Sequence, residues 1–554
     1  MPVRGVPGGL VRATPTGDHL NTVDDPPAGA RSAAAKDADA SRLDSLGRYA
    51  PLFVGAVAFL AYLRTLMPGI AFGDWGEMQT VPHILGISHP TGYPTYILLA
   101  WLTELVPIGS VAFRANLLSA VLVSGALALA TAISLRLGVR PIIAIAAGIA
   151  TGVVGTVWAA ATVAEVNPLH LFFAAAVLHR ALVWEERRRV RDVVIGGLLV
   201  GLSLGNHLLT VFIAPFVALF VLWVGRREIL ARPWILLAAA GATFLGLMVY
   251  LYIPIAASRV PPPALSYNHP VTLDAVWWLV SGTQFRGQFD FLSAAGPGRF
   301  VDSLPSLWNL LVSRGTPVLP ILGFGGLAVM LWRRPAFALM SLAILVLGLY
   351  VWANYLELEH YLLVPWLILG IAAAVALDAI ADALAAALSM AGRGAATKVG
   401  LAVGGVGLAL ALLLGLMNWS AADRSHDLSG SDYVNAVLTA MPENAAILSE
   451  WDASTPLWHG QQVLGLRPDV LVVDDSNIVY EGWVTRERRI ESLICDRPVF
   501  MIRLSDRDLV PTKQEFKVTP FLTVRVAFGG PSAVAAREVV QVEPLDPSTC
   551  GGSG

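Results

Sequence analysis

Two carboxylates and two imidazoles crowd into residues 71–96, AFGDWGEMQTVPHILGISHPTGYPTY: Asp74, Glu77, His83 and His89. Such groups can take a proton from a hydroxyl or hold a developing charge. They lie just beyond a hydrophobic span, and ionisable groups at a membrane surface lose solvation, so they are uncommon there unless something uses their charge. On a helix, positions three apart share a face, which would turn Asp74 and Glu77 toward one pocket. Asp-x-x-Glu at the start of a helix is equally a capping box, in which the side chains satisfy orphan backbone N–H groups. Spacing alone leaves both readings open.

Other polar residues sit in comparable turns. Glu165 and Asn167 fall in TVAEVNPLH, and Asn206 and His207 at the tip of the short hairpin LSLGNHLLT. Arg259 opens a loop that runs to about 315 and adds His269, Asp274, Trp277, Trp278, Arg286 and Asp290. The turn NYLELEHY adds Glu357, Glu359, His360 and Tyr361. Any one of these is an ordinary wet-turn residue; together they describe one polar, partly desolvated cavity. The chemistry that fits is transfer of a sugar carried on a lipid phosphate. Its leaving group is an anion, which the arginine fork binds in two places. Arg259 and Arg286 are the candidates, with Arg64 and Arg114 behind them. A carboxylate would serve as base for the acceptor hydroxyl. Asp74, Glu77, His83 and His89 are also acceptable metal ligands, but no HExxH or similarly tight spacing occurs, so no metal ligand is assigned and a divalent metal stays an alternative.

The elements that must position these groups are membrane helices. The chain has 554 residues, 55% hydrophobic and 14% charged, with mean hydropathy +0.64. Apolar runs near the ~20 residues needed to cross a bilayer recur along most of it. About eleven spans are expected between Tyr49 and Trp419, centred on 50–66, 115–135, 141–160, 168–184, 193–207, 208–225, 234–254, 317–332, 336–352, 361–384 and 400–418. The connections carrying Arg136 and Arg140, Arg187 to Arg191, Arg226 to Arg232, Arg333 and Arg334, and Arg393 and Lys398 all fall on one side of that count. The positive-inside rule makes that side cytoplasmic, with the N-terminus. Every polar turn named above then lies on the outer face, in loops 67–113 and 256–315 and the shorter turns, and an odd number of spans puts 420–554 outside. A net charge of −2 without a basic, aromatic-laced patch points away from nucleic acid.

Two flanking segments differ from this. Residues 1–48, rich in Ala, Pro, Gly, Asp and Arg, read as a disordered cytoplasmic tail. In 420–554, AAILS, DVLVVDD and PVFMIRL are strand-like, and STPLWHGQQVLG and TRERRIESLI helix-like. Their alternation predicts a small α/β layer with parallel strands. No Gly-rich phosphate loop opens its helices. Cys495 and Cys550, the two cysteines of the chain, are suited to a disulfide if that end faces an oxidising compartment.

GDWGEMQTVPHILGISHPTGYPTY resembles the signature of a former unknown-function family of GT-C membrane glycosyltransferases, which includes the eukaryotic transmembrane protein O-mannosyltransferase acting on plexin-type ectodomains. That family shows G-D-(S/C)-G-E followed by L-G-x-x-H-P-P-G-Y-P. Asp74, Gly76, Glu77, Leu85, Gly86, His89, Pro90, Gly92, Tyr93 and Pro94 match; Trp75 and Thr91 depart. FRANLLSA, WAAATVAEVNPLHLF, GLSLGNHLL, YLYIPIAASRVPP and WDASTPLWHGQQVLGLRPDVLVV extend the likeness over roughly 50–480. The resemblance implies a catalytic acid in the first outer loop, with Asp74 as base, Glu77 beside it, and His89 and Tyr93 in the pocket.

The expected function is an inverting glycosyltransferase that moves a hexose, mannose by resemblance, from a polyprenyl-phosphate donor to a hydroxyl of a secreted or membrane protein. The competing reading is a transporter or flippase for a polyprenyl-linked sugar. It would call for inverted repeats and broken helices at mid-membrane, whereas the polar residues of this chain cluster at one face and no internal repeat stands out.

Overall fold

The computed structural model describes residues 47–550 apart from 289–292, 294, 356–357, 389–392, 476, 479–480, 504–505 and 528–533. Residues 1–46 of the tail expected over 1–48, together with Asp290 and Glu357, lie outside the described residues, and residues 47–48 are helical.

A bilayer offers the backbone no hydrogen-bond partners, so an apolar run that enters it must satisfy its own N–H and C=O groups as a helix. All eleven expected segments are helical over most of their length. By length and composition, six helices among the described residues can cross a membrane, and eight if two bent pairs each count as one span. Those pairs are Pro141–Gly152 with Gly155–Ala161, bent by 71°, and Gly296–Gly315 with Val318–Arg333, bent by 111°. Part of the difference from the sequence-based count is helix length, because hydropathy registers apolar content rather than straight helix length. Val190–Leu204 and Thr210–Val224 are apolar throughout but have 15 residues each, about 22 Å of helix against a ~30 Å hydrocarbon core.

Local signals set several helix starts. Ser110 accepts the Phe113 N–H at 3.1 Å and caps Val111–Arg136. Proline stands in the first turn of Pro141–Gly152 and Pro335–Asn354, where its missing N–H costs nothing. Val111–Arg136, Val166–Arg187 and the span Glu359–Ala387 are largely buried and form the centre. Trp234–Ala257 is at the periphery, with Leu237, Phe244 and Leu245 exposed, as expected of a lipid-facing helix.

One end of this bundle is laced by ion pairs. Arg136 pairs with Glu186, and Arg334 lies 3.8 Å from Glu185. Arg140 meets Asp378 at 2.8 Å, Arg333 meets Asp382 at 3.0 Å, and Arg188 lies 3.7 Å from Glu228. Four of the five basic connections found in the sequence are therefore gathered at one end. Helices Val111–Arg136 and Val166–Arg187 each run from the opposite end to this one.

Beyond Ala422 the chain builds an α/β layer. Strands β1 (Ala446–Ser449), β2 (Leu471–Asp474) and β3 (Val499–Arg503) pair in parallel, as expected. Strands β4 (Phe516–Ala527) and β5 (Val534–Pro544) form an antiparallel addition that the sequence reading did not anticipate, giving the order β2-β1-β3-β5-β4. Pro520 disguises β4: it sits beside a register shift on the edge strand, where a missing N–H is tolerated. Helices Trp451–Gln462 and Arg486–Ile494 connect the parallel strands. Cys495 and Cys550 are disulfide-bonded.

Candidate active site

The motif at 71–96 folds around helix Gly73–Thr80. Its fourth residue explains the Gly-x-x-Gly pattern: a Cβ on Gly76 would lie 2.4 Å from the Ala71 carbonyl oxygen and 2.8 Å from Thr455 Oγ1. Only glycine lets helix Trp451–Gln462 of the α/β layer settle directly on this one. Gly92 has φ +81° and faces Ile253 at 2.9 Å, so it too is required by both conformation and space. FRANLLSA contributes Asn116, which is fully buried. It donates to the Met67 carbonyl at 2.8 Å and accepts from Gln79 at 2.9 Å and the Ala164 N–H at 2.7 Å. One amide thus ties the loop that carries the 71–96 motif to the turn that holds Glu165.

Neither carboxylate caps the helix, whose N-cap position is Phe72 and carries no side-chain capping hydrogen bond. Asp74 is exposed, lines a cavity of about 430 Å³, and accepts the Trp451 indole N–H at 2.7 Å. Glu77 points elsewhere. It is 2% exposed and accepts the His89 backbone N–H at 2.9 Å, while its other oxygen bonds His89 Nδ1. The expectation that the pair would share one pocket is therefore corrected: Glu77 holds His89, and Asp74 alone of the two faces the cavity.

His89 is charged by its setting. The Tyr93 hydroxyl donates to the Pro90 carbonyl at 3.0 Å, leaving its oxygen to accept from His89 Nε2 at 3.1 Å. Both ring nitrogens then carry protons. Burial opposes that charge, but Glu77 and, after it, Asp74 overcome the penalty and push the His89 pKa up to about 9. Tyr93 is driven the other way from ionisation, first by burial and then by Asp74, well above the ordinary phenol value.

The remaining expected residues divide. Glu165, His207, His360 and Tyr361 line the same cavity as Asp74, His89 and Tyr93. Glu165 is also an N-cap, accepting the Val166 N–H at 2.9 Å, and its second oxygen accepts the Trp75 indole N–H at 3.0 Å. Trp75, one of the two residues that depart from the family signature, is thereby built into the site. His207 Nδ1 accepts the Leu209 N–H at 3.2 Å, which leaves its proton on Nε2. Asn206 is buried and donates to the Val166 carbonyl at 3.0 Å; it braces the cavity wall without lining it.

The arginine assignments are corrected. Arg259 is spent on the carbonyls of Leu85, Ile84 and Ala256, and Arg286 is exposed outside the lining. Arg64 bonds Ser425 at 3.0 Å, and Arg114 bonds the Val106 carbonyl at 3.1 Å. Among the described residues no Lys or Arg lines the cavity; His89 is its charged cation. His83 turns away to Glu104 at 2.7 Å. No group of three or more His, Cys, Asp or Glu among the described residues is placed to hold a metal.

The sequence reading missed Trp451, Tyr267, Phe285 and Tyr355 as lining residues. Trp451 opens WDASTPLWHGQQ, a segment whose resemblance was visible but whose partner was not. Asn167 Oδ1, on a residue lining the cavity, is buried without a hydrogen-bond partner among the described residues.

Residues 74–230, the stretch that carries most of these groups, match the family model described as the protein O-mannosyl-transferase TMEM260 N-terminal domain. The family resemblance holds. The mouse (Mus musculus) protein O-mannosyl-transferase TMEM260 is 27% identical over 465 residues, 78% of this chain and 63% of that protein. The chain thus spans less than two thirds of the length of that TMEM260 relative. Among solved structures, ArnT from Cupriavidus metallidurans in the apo state superposes with a TM-score of 0.53 at 15% identity, over 88% of this chain and 97% of ArnT. AglB from Archaeoglobus fulgidus, in complex with an inhibitory peptide and a dolichol-phosphate, gives 0.51 at 13% identity, over 82% of this chain and 69% of AglB. The fold is the GT-C type of multi-pass membrane protein, with a C-terminal α/β layer.

Proposed function

We propose that the protein is an inverting glycosyltransferase that moves a hexose, mannose by analogy with TMEM260, from a polyprenyl-phosphate donor to a Ser or Thr hydroxyl. The observation that carries the reading is a single cavity lined both by an exposed carboxylate, Asp74, and by a half-buried imidazolium, His89. A base for the hydroxyl and a positive charge for the departing phosphate are the two groups such a transfer needs. A second solved ArnT structure, 16% identical to this chain over 88% of it and 97% of ArnT with a TM-score of 0.51, contains undecaprenyl phosphate. It gives the donor class a precedent on this fold.

In the proposed step, an oxygen lone pair of the acceptor attacks the anomeric carbon from the face opposite the phosphate. The bond from that carbon to the phosphate oxygen breaks with its electrons on the polyprenyl phosphate, and the acceptor proton passes to Asp74. His89, held by Glu77 and Tyr93, supplies positive charge without spending a proton. His207 Nε2–H and Tyr361 are the neutral donors for sugar or phosphate oxygens. General-base catalysis contributes about 10²–10⁴-fold, and positioning the rest. Protein in nanodiscs, supplied with defined polyprenyl-phosphate hexoses and Ser/Thr peptides, should release polyprenyl phosphate and give a hexosyl peptide by mass spectrometry. Intact donor and peptide with every sugar tried would overturn the reading. A flippase finds less support, because the cavity lies at the N-terminal end of Val166–Arg187, lined by Val166 and Asn167, rather than at its middle.

The ion-paired basic end is proposed to be cytoplasmic and the cavity with residues 420–554 extracytoplasmic. With a cysteine introduced at Arg189, an impermeant thiol reagent should fail to label intact cells; labelling there reverses the orientation.

A further inference from the structure

A second cleft, of about 230 Å³, lies beside the Asp74 cavity and shares Trp451 and Tyr267 with it. The two rings meet edge-on, with centroids 6.2 Å apart. One wall is the loop 264–269, held where the Ile87 N–H donates to the Leu265 carbonyl at 2.9 Å and the Tyr267 N–H to the Ile87 carbonyl at 3.1 Å. The other wall is the α/β layer: Trp458, Val472 and Asp474 at the end of β2, and Asn477 just beyond. Ser266 Oγ on the first wall and Asn477 Oδ1 on the second are buried without hydrogen-bond partners among the described residues. Native structures leave few such atoms. A ligand that supplies both a donor and an acceptor would satisfy them, and a peptide backbone does so at every residue.

Charge narrows the occupant further. Glu77, Asp474 and Glu481 line the cleft together with His269, and no Lys or Arg does among the described residues; behind the lining, Glu77 bonds His89 and Glu481 lies 3.3 Å from Arg489. A phosphate-bearing donor would be repelled, whereas a neutral or basic segment would not. We propose that this cleft seats the polypeptide segment flanking the acceptor hydroxyl, neutral or basic in character, with Trp451 as the partition past which the hydroxyl reaches Asp74. This rests on the glycosyl-transfer reading above and adds where the acceptor chain lies and what it carries.

Binding can be read apart from chemistry. Full-length protein in detergent is mixed with threonine peptides carrying a diazirine two residues from the threonine and flanked by Lys, by Ala or by Glu. It is then irradiated and the adducts are mapped by mass spectrometry. Adducts are expected on both walls, at 264–269 and 472–474, with Lys-flanked peptide labelling at least about five-fold more than Glu-flanked. Glu481→Lys should reverse that preference, an outcome that mere structural damage does not produce. Asn477→Ala should lower labelling by all three peptides. Adducts confined to other surfaces, or a preference indifferent to Glu481→Lys, overturn the proposal. Wall adducts with no hexose transferred to any peptide would count against the glycosyl-transfer reading alone.

Discussion

The indole N–H of Trp451 donates to Asp74 Oδ1 at 2.7 Å, across 377 positions of chain. Trp451 begins the helix that follows β1 in the α/β layer, and Asp74 lies in the first turn of the helix that this layer covers. The bond makes the C-terminal layer part of the site, because it fixes the carboxylate proposed as base. Trp451→Phe keeps the ring and removes the N–H. Hydrogen bonds to charged groups contribute about 1.5–3 kcal/mol when buried and less when solvated, and Asp74 is exposed. Turnover is expected to fall roughly 3- to 30-fold. A kcat equal to wild type would show that the indole only shapes the wall.

The Cys495–Cys550 bond closes 55 positions of chain. It ties the end of helix Arg486–Ile494 to the turn Pro547–Cys550 that follows β5. In the chain-entropy model a loop of this size is stabilised by about 4 kcal/mol, mainly by restricting the unfolded chain. The double substitution Cys495→Ser, Cys550→Ser should lower the melting temperature of the α/β layer by several degrees. Wild-type protein in reductant should melt with the variant, and coincident melting of the variant with oxidised wild type would contradict this.

How far the sequence could be read depended on whether the relevant partners were local. Asp74, Glu77, His89 and Tyr93 come from one 20-residue stretch, and the structure does bring Asp74, His89 and Tyr93 to one cavity with Glu77 behind them. Glu165, His207, His360 and Tyr361 were reachable as polar residues in turns on one face, because hydropathy fixes depth. Depth was also what misled the arginine assignment. Arg259 does follow its helix, but no periodicity records that Leu85, at φ +48°, turns its carbonyl to meet it. Trp451 stayed hidden for the same reason: nothing in WDASTPLWHGQQ says which loop it will cover, and that docking depends on the absent side chain of Gly76.

His89 predicts a pH dependence. Its pKa is raised from 6.5 to about 9, Glu77 and Asp74 outweighing the burial that opposes its charge. A group whose pKa is higher folded than unfolded stabilises fully below the unfolded value and loses that contribution as pH rises through the folded one. Stability should therefore decline between roughly pH 6.5 and 9, by at most about 3 kcal/mol from this group. Scanning the melting temperature from pH 6 to 10 tests it, with His89→Gln as the non-titrating comparison. The wild-type curve should fall relative to the variant across that window; parallel curves would show that His89 is neutral in the folded protein. Transfer activity should also weaken near pH 9, where the cavity loses its positive charge.

Asp74→Asn separates chemistry from architecture. The side chain makes no capping bond to its helix, so asparagine costs the helix nothing there, and its carbonyl oxygen can still accept from Trp451. What disappears is the ability to take a proton from the acceptor. If Asp74 is the base, turnover falls by about 10²–10⁴-fold, while donor binding, measured by equilibrium dialysis with labelled polyprenyl-phosphate hexose, stays within a few-fold of wild type. Asp74→Glu restores a carboxylate but moves it by one methylene, which should recover only part of the rate because positioning is part of the catalysis. Glu77→Gln behaves differently in kind. It removes the counter-charge of His89 and should shift the alkaline limb of the pH profile to lower pH rather than abolish transfer. Near-normal transfer by Asp74→Asn would remove Asp74 from the mechanism, and the base would then have to be sought in Glu165, the other carboxylate lining the cavity among the described residues.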